Sequence, residues 1–306
     1  MTSLESRARI GTSGWHYPSW RGDFYPTGLP QRDELAFAAT RFSSIELNAS
    51  FYSLQRPERY AAWRNATPED FLFAVKGGRF ITHMRRLREP RQALANFFAS
   101  GILALERKLG PILWQLPADL RFDADALDAF CRALPLTTLD AARLACDHDE
   151  RLAGRALTSA AVDRPLIHAL EVRNASCATA ECYDILRARG IALVVSDGAG
   201  RWPLLRELTS GVVYIRLHGH TELYGSDYTP QAIGSWARQI HGWITGACAP
   251  DGLERDVYVY FDNDARGHAP HNALSLQASL RRRCHRSTTP MSSEISRSAR
   301  VAKNPF

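Results

Sequence analysis

Short apolar runs recur along the chain, each separated from the next by a stretch long enough for a helix. They are RIGTSG (9–14), SSIELN (43–48), FLFAVK (71–76), PILWQL (111–116), IHALEVR (167–173), IALVVSD (191–197), GVVYIRLH (211–218) and DVYVYFD (256–262). All have strand length, which predicts eight β-strands. The intervening segments carry apolar residues at helical spacing: RDELAFAATRF, PERYAAWRN, REPRQALANFFASGILALERKLG, DADALDAFCRALP, TAECYDILRARG, TPQAIGSWARQIHGWITG and APHNALSLQASLRRR. Several begin on Asp, Thr or Pro and stop at Gly, as helix capping favours. Strand then helix, repeated in a single chain, predicts an α/β fold of the (β/α)8 TIM-barrel type. A doubly wound open sheet shows the same alternation but usually opens on a GxGxxG turn, and GTSGWHYPSWRG lacks that spacing. No Pro/Ser-rich linker divides the run, so one domain is expected over 9–284, followed by a tail over 285–306.

One segment breaks both periods. IGTSGWHYPSWRGDFYP (10–26) places Trp15, Tyr17, Trp20, Phe24 and Tyr25 among Gly and Pro residues at neither strand nor helix spacing. A loop this aromatic is either a plug over a core or the wall of a ligand site.

Charge changes the picture once it is located along the chain. The net +6 comes from residues 281–306, which hold seven of the 38 basic and one of the 32 acidic residues, so the first 280 carry 31 of each. The pI near 9.1 therefore describes a Ser-, Thr- and Arg-rich tail that reads as disordered. Such a tail is either a solvated extension or a source of sequence-independent attraction to nucleic acid. The six cysteines form no CxxC pair and read as reduced, buried thiols. No window reaches the roughly 18–20 apolar residues of a membrane span, and no apolar stretch precedes the first Gly, so a cytoplasmic protein without membrane contact is expected.

On a barrel, residues two apart on a strand share a side, and polar residues on apolar strands point to the interior or to the rim at the strands' C-terminal ends. That places Glu46 with Asn48, Glu171 with Arg173, and Arg216 with His218, while Lys76, Gln115, Asp197 and Asp262 each close a strand. The set lies where barrel enzymes build their active sites. Buried alone, each charge costs several kcal/mol, so the cluster requires mutual pairing or a ligand. A salt-bridge network tying the top of the barrel is the structural alternative.

Three chemistries can be weighed against this set. Glycoside cleavage needs two carboxylates at a defined separation, for which Glu46 and Glu171 are available. A metal site would want several grouped histidines; of His16, His83, His218 and His220 only His218 and His220 stand close together, in HGH at the end of one strand run, so neither a metal nor another cofactor is expected. Anion recognition fits Lys76, Arg173 and Arg216 together with the loop GGRFITHMRRLREPR, in which Lys76 and Arg79 lie nearest the strand end and the MRRLR arginines read as a solvated face.

The segments GTSGWHYPSWRGDFYP, ELNASFY, TPEDFLFAVKGGRFITHMRRL, LGPILWQLP, EVRNAS, IRLHG and YFDNDARGHAPHNA, in this order over about residues 9–284, resemble the YecE-like family, domain of unknown function 72. The resemblance implies a TIM barrel similar in shape to endonuclease IV and sugar isomerases, and it carries no established activity. Its signature positions fall here on Gly11, Gly14, Trp15, Tyr17, Trp20, Glu46, Asn48, Phe51, Tyr52, Lys76, His83, Gln115, Glu171, Arg173, Arg216, His218, Asn263 and Asn272. This chain departs from the family pattern at Asn174 and Cys177, where His and Trp are usual, and at Asp262, where Asn is usual.

The expected function is an enzyme acting on a small phosphorylated or otherwise anionic substrate at the rim. Glu46 or Glu171, with Lys76 and His218, form the catalytic set. Trp15, Tyr17, Trp20, Asn48, Tyr52, Arg79, His83, Gln115, Arg173, Asp197, Arg216, Asp262, Asn263 and Asn272 are the expected binding residues. A non-catalytic nucleic-acid binder using the rim aromatics, basic loop and tail is the alternative, and an interaction protein with an exposed apolar patch is a third.

Overall fold

Residues 4–288 are described by the computed structural model. Nine parallel strand segments are present among them: β1 (Ala8–Thr12), β2 (Ser44–Leu47), β3 (Leu72–Lys76), β4 (Leu109–Gln115), β5 (His168–Glu171), β6 (Ala192–Leu193), β7 (Val195–Asp197), β8 (Val212–Leu217) and β9 (Asp256–Phe261). β6 and β7 are one expected strand interrupted at Val194, so all eight expected strands are found. They pair in the orders β2-β3-β4-β5-β6 and β1-β9-β8-β7. At one seam the Val194 amide donates to Leu170 O, 2.9 Å away, carrying the sheet from β6 into β7. At the other, the Gly14 amide donates to Glu46 O at 2.9 Å and Ser13 bridges Glu46 in parallel. Gly11 is required at this seam, because a Cβ there would sit 1.8 Å from the Ser44 carbonyl oxygen.

The helices are α1 (Glu34–Ala39), α2 (Ala49–Tyr52), α3 (Pro57–Asn65), α4 (Pro90–Ala99), α5 (Ala124–Ala133), α6 (Thr138–Ala145), α7 (Ala180–Ala188), α8 (Pro230–Ile244) and α9 (His268–Thr288). Their starts follow the capping chemistry of the sequence: Asp123, Thr179 and Thr229 accept from the amides of Ala126, Cys182 and Ala232. The helix expected over 88–110 is divided, because Gly101 takes φ 111° and ends α4 before a 3-10 stretch over Ile102–Lys108. The helix α6 was not expected. The last helix passes its expected end at Arg283 and runs to Thr288, and the remainder of the basic tail lies outside the described residues. No described helix is long and apolar enough to cross a membrane.

Two buried layers follow from strand alternation. Between strands and helices lies the larger core, which includes Ile45, Leu47, Phe73, Ile112, Trp114, Leu170, Ile215, Val259 and Phe261. Inside the ring Ala74, Leu113, Ala169, Ala192, Val194, Tyr214, Tyr258 and Tyr260 pack on one another. This inner plug is the floor on which the polar residues stand.

Candidate active site

Moving two residues toward the C-terminal end of each strand turns the apolar floor into charge. Tyr214 is followed by Arg216 and His218, Ala169 by Glu171 and Arg173, Ala74 by Lys76, Leu113 by Gln115 and Tyr260 by Asp262, with Glu46 and Asn48 on β2. Arg216 is the hub. Its Nε donates to Glu46 Oε2 at 3.1 Å, Nη1 to Glu171 Oε2 at 2.8 Å, and Nη2 to Glu46 Oε1 at 2.8 Å, Asp262 Oδ2 at 3.0 Å and Ser13 Oγ at 3.1 Å. Glu46 also accepts from Ser13 Oγ at 2.5 Å and Tyr214 Oη at 2.6 Å. Glu171 accepts from Arg173 Nε and Ser196 Oγ, both at 2.9 Å. The His218 ring lies between two carboxylates, with Nδ1 3.0 Å from Asp262 Oδ2 and Nε2 3.3 Å from Glu171 Oε1.

These groups are buried, which by itself would push carboxylates toward the neutral form. For Glu171 the opposing charges of Arg173 and Arg216 outweigh that burial and hold it well below the usual carboxylate range. Asp262 is likewise lowered despite burial, by Arg216 and His218, and Arg216 is raised well above its usual value by Glu46, Glu171 and Asp262. Buried ion pairs repay their desolvation only with such complete hydrogen bonding.

Lys76 stands apart from this pairing. Among the described residues its Nζ makes no ion pair and lies 4.3 Å from the centre of the Phe51 ring. Burial, helped by the charge of Arg216, brings the amine down to about 8 in spite of Glu46, Asp262 and Glu171. Next to it, the His83 ring meets Phe51 edge-on at 5.1 Å and lies 3.4 Å from Gln115 Nε2. Burial and the cations Lys76, Arg173 and Arg79 lower the His83 pKa, so three positive charges converge on this ring. Arg173 is held under Trp202 at 4.1 Å and reaches Tyr224 Oη at 3.4 Å.

The basic loop after β3 resolves into two kinds of residue. Arg85 pairs with Glu89, Arg86 with Asp119 at 2.9 Å, Arg88 with Asp123 at 3.3 Å and Arg91 with Asp147 at 2.5 Å. Arg79 has no carboxylate partner among the described residues, and with Lys76 it supplies the uncompensated charge on this side of the rim. Gly77 makes the loop's exit possible: a Cβ there would lie 2.3 Å from the buried Trp114 ring. A π-helical turn over Phe80–Met84 follows, then left-handed residues at Arg86, Leu87 and Glu89.

Several expected site residues lie elsewhere. Trp20 is wholly buried against Tyr17, Phe24 and Tyr25, and Trp15 packs edge-on to Trp63, so the opening aromatic loop is mainly a lid whose tryptophan faces are spent on packing. Tyr17, half-buried, donates to Ser13 O and sits beside Asp264. Asp197 lies on the other face of its strand from the cluster: Ala192, Val194 and Ser196 take the inward positions, and Asp197 accepts from Tyr228 Oη at 3.1 Å. Asn263 donates to Asn272 Oδ1 and Ser226 O, both at 2.9 Å, and Asn272 donates to Asp227 at 2.6 Å, bracing the loop before α8. Asn48 joins the cluster through Ser13 Oγ at 2.9 Å, and Tyr52 is exposed at its edge.

Ser13, Ser196, Tyr214, Trp202, Tyr224 and Asp264 belong to the site or its immediate support and were not expected. Alternation carries a signal for three of them, since Tyr214 precedes Arg216 by two residues, Ser13 follows Gly11 by two, and Asp264 follows Asp262 by two. Burial and the Asp262 charge raise Asp264 well above the usual carboxylate range, while its neighbour Asp262 is held ionised. Among the described residues no group of three His, Cys, Asp or Glu side chains is placed to hold a metal ion.

Fold and site together define a parallel α/β barrel with a charged, partly self-paired C-terminal rim. The chain matches the family described as Protein of unknown function DUF72 over residues 9–294, and it belongs to that family. It is 25% identical over 299 residues to the UPF0759 protein YunF of Bacillus subtilis, spanning 87% of this chain and 92% of that protein. It is 30% identical over 109 residues to the UPF0759 protein YecE of Escherichia coli K12, spanning 36% and 37%. A solved DUF72 family protein from Thermotoga maritima superposes with a TM-score of 0.71 at 23% identity, over 90% of this chain and 99% of that one. A DUF72 family protein from Enterococcus faecalis gives 0.66 at 17% identity, over 90% and 95%.

Proposed function

We propose that this chain is an acid/base enzyme that binds a small anionic substrate at the C-terminal rim, with Lys76 as the group that moves the proton. The carrying observation is that Lys76 sits among fully paired charges with no carboxylate of its own and an amine brought to about 8. A lysine near the operating pH populates both protonation states, about a tenth neutral at pH 7, which is what proton transfer needs. Arg173 and Arg79 supply positive charge near His83, whose pKa is lowered by burial and then by its cationic neighbours, so that the neutral ring offers one donor and one acceptor.

Glu46, Glu171 and His218, first expected in catalysis, are assigned to positioning. Glu46 already accepts from Ser13, Tyr214 and Arg216, and Glu171 is held ionised by two arginines and accepts from Ser196, so the oxygens of both are taken up by partners within the fold. Arg216 and Asp262 complete this rigid floor, which keeps Lys76 near positive charge and out of water.

The test is turnover of a panel of phosphorylated and carboxylated small molecules by the wild type and by Lys76→Met, with circular dichroism as a check on folding. Loss of at least about a hundredfold in kcat/KM on a substrate the wild type turns over supports the assignment. Equal rates for a folded Lys76→Met overturn it.

A further inference from the structure

Phe51, the ring on which Lys76 rests, lines a cavity of about 260 Å3 together with Tyr52, Phe80 and Met84, with Arg79 and Arg151 among its other walls. Of the large apolar residues exposed among the described residues, the only aromatic ones are Tyr52, at 67%, and Phe80, at 41%, and both line this cavity, as does Met84 at 64%. Exposed rings gathered around one opening mark a binding surface. Phe51 joins this cavity to the site, since one face of its ring receives the Lys76 ammonium. The Arg151 guanidinium stands 6.0 Å from the centre of the Phe80 ring.

From this arrangement we infer that the substrate is a small molecule joining a planar ring to one phosphate, the ring stacked on Phe80 and Tyr52 and the phosphate at Arg79 and Lys76. The inference rests on the reading of the rim as an anion site and narrows its substrate class. Charge complementarity sets the number of phosphates. The four other arginines of this loop are each paired with a carboxylate, and Arg151 and Arg173 have Asp149 and Glu171 beside them, which leaves Arg79 and Lys76, two positive charges, to meet one phosphate monoester of about −1.5 to −2. The same pairing argues against a polymer, because no unpaired arginines continue along the loop to follow a backbone. Size agrees, since the cavity falls short of the roughly 300–1,000 Å3 of pockets that enclose a whole drug-sized ligand and suits one ring system.

Four larger cavities carry less; those of about 500 and 400 Å3 are surface clefts around Arg91 and Arg64, which pair with Asp147 and Glu106. One of about 390 Å3 opens at the N-terminal end of the barrel, around Arg9, Phe42 and Gln277, away from the charged rim. Another of about 480 Å3 lies between the β4 and β5 loops and α7, and its Arg86 and Arg88 are already neutralised by Asp119 and Asp123.

Calorimetric titration with four probes tests the inference: adenosine 5′-monophosphate, ribose 5-phosphate, adenosine and a single-stranded decamer, each against the wild type and the Tyr52→Ala/Phe80→Ala double variant. Both substituted residues are exposed, so the fold is not at risk. Adenosine 5′-monophosphate is expected to bind at least about tenfold more tightly than ribose 5-phosphate, from one stacked base. In the double variant that ratio falls to about one while ribose 5-phosphate binding is unchanged. Equal affinities in the wild type overturn the ring assignment and leave the anion site standing. Binding of neither phosphate removes both readings, and tighter binding of the decamer overturns the commitment to a small ligand.

Discussion

At the scale of single residues, the rim separates charges that are bound to each other from two, Lys76 and Arg79, that have no carboxylate partner among the described residues. Lys76 has an amine near 8 in the fold against 10.5 in its absence, with burial as the main cause. Burial penalises the cation, so at pH 7 the fold carries a cost of about 3 kcal/mol from this side chain. Between pH 8 and 10.5 the folded chain sheds the proton while the unfolded chain keeps it, so stability rises with pH and the cost fades. Lys76→Met is therefore expected to stabilise the protein by about 1–3 kcal/mol at pH 7, with the gain shrinking toward pH 10. Urea denaturation of both proteins at the two pH values measures this, and a variant less stable than wild type at pH 7 would refute it. Such single-residue behaviour was only partly legible. That Lys76 and Arg79 would differ from the MRRLR arginines follows from their nearness to the strand end, whereas the partners that neutralise the others, Asp119, Asp123 and Asp147, come from distant segments. The rings of Trp15 and Trp20 gave no periodicity from which to read a direction, and only packing against Trp63, Phe24 and Tyr25 fixes it.

At the scale of elements, alternation made most of the site visible. Glu46, Glu171, Arg216 and Lys76 fall on the inward side because their strand neighbours Ile45, Leu170, Ile215 and Val75 must face the helices. Asp197 obeys the same rule: Ala192, Val194 and Ser196 face inward, so Asp197 falls on the other side, and the run IALVV, buried throughout, does not signal which phase faces the ring. The exit from β3 carries the sharpest constraint. Trp114 is fully buried, ringed by Phe97 and Phe130 and donating from Nε1 to His168 at 3.2 Å, so it cannot retreat from a Cβ at Gly77. Gly77→Ala is expected to cost about 1–3 kcal/mol by overpacking and to shift the turn that presents Arg79 and Phe80. Gly78→Ala is the control: its Cβ would meet nothing closer than Ser50 O at 3.6 Å, so its stability should stay within about 0.5 kcal/mol of wild type. Chemical denaturation of the pair decides the point, and equal stabilities would show that Trp114 yields.

For the whole molecule the question is where a polyanion would be attracted. Residues 1–280 hold equal numbers of acidic and basic groups, and four of the five loop arginines, all but Arg79, are paired, so the barrel has little field with which to draw in a nucleic acid. Residues 289–306 hold Arg297, Arg300 and Lys303 against Glu294 alone. Each phosphate neutralised on a single strand steepens the dependence of log K on log salt by about 0.7. Deleting 289–306 should thus flatten the slope for single-stranded DNA by about 2, as read by fluorescence anisotropy between 25 and 200 mM salt. The same deletion should leave the affinity for adenosine 5′-monophosphate unchanged, because Arg79, Phe80 and Lys76 lie on the barrel. A slope untouched by the deletion would mean that the barrel itself tracks a phosphate backbone, and the assignment of its rim to a small phosphorylated ligand would then be wrong.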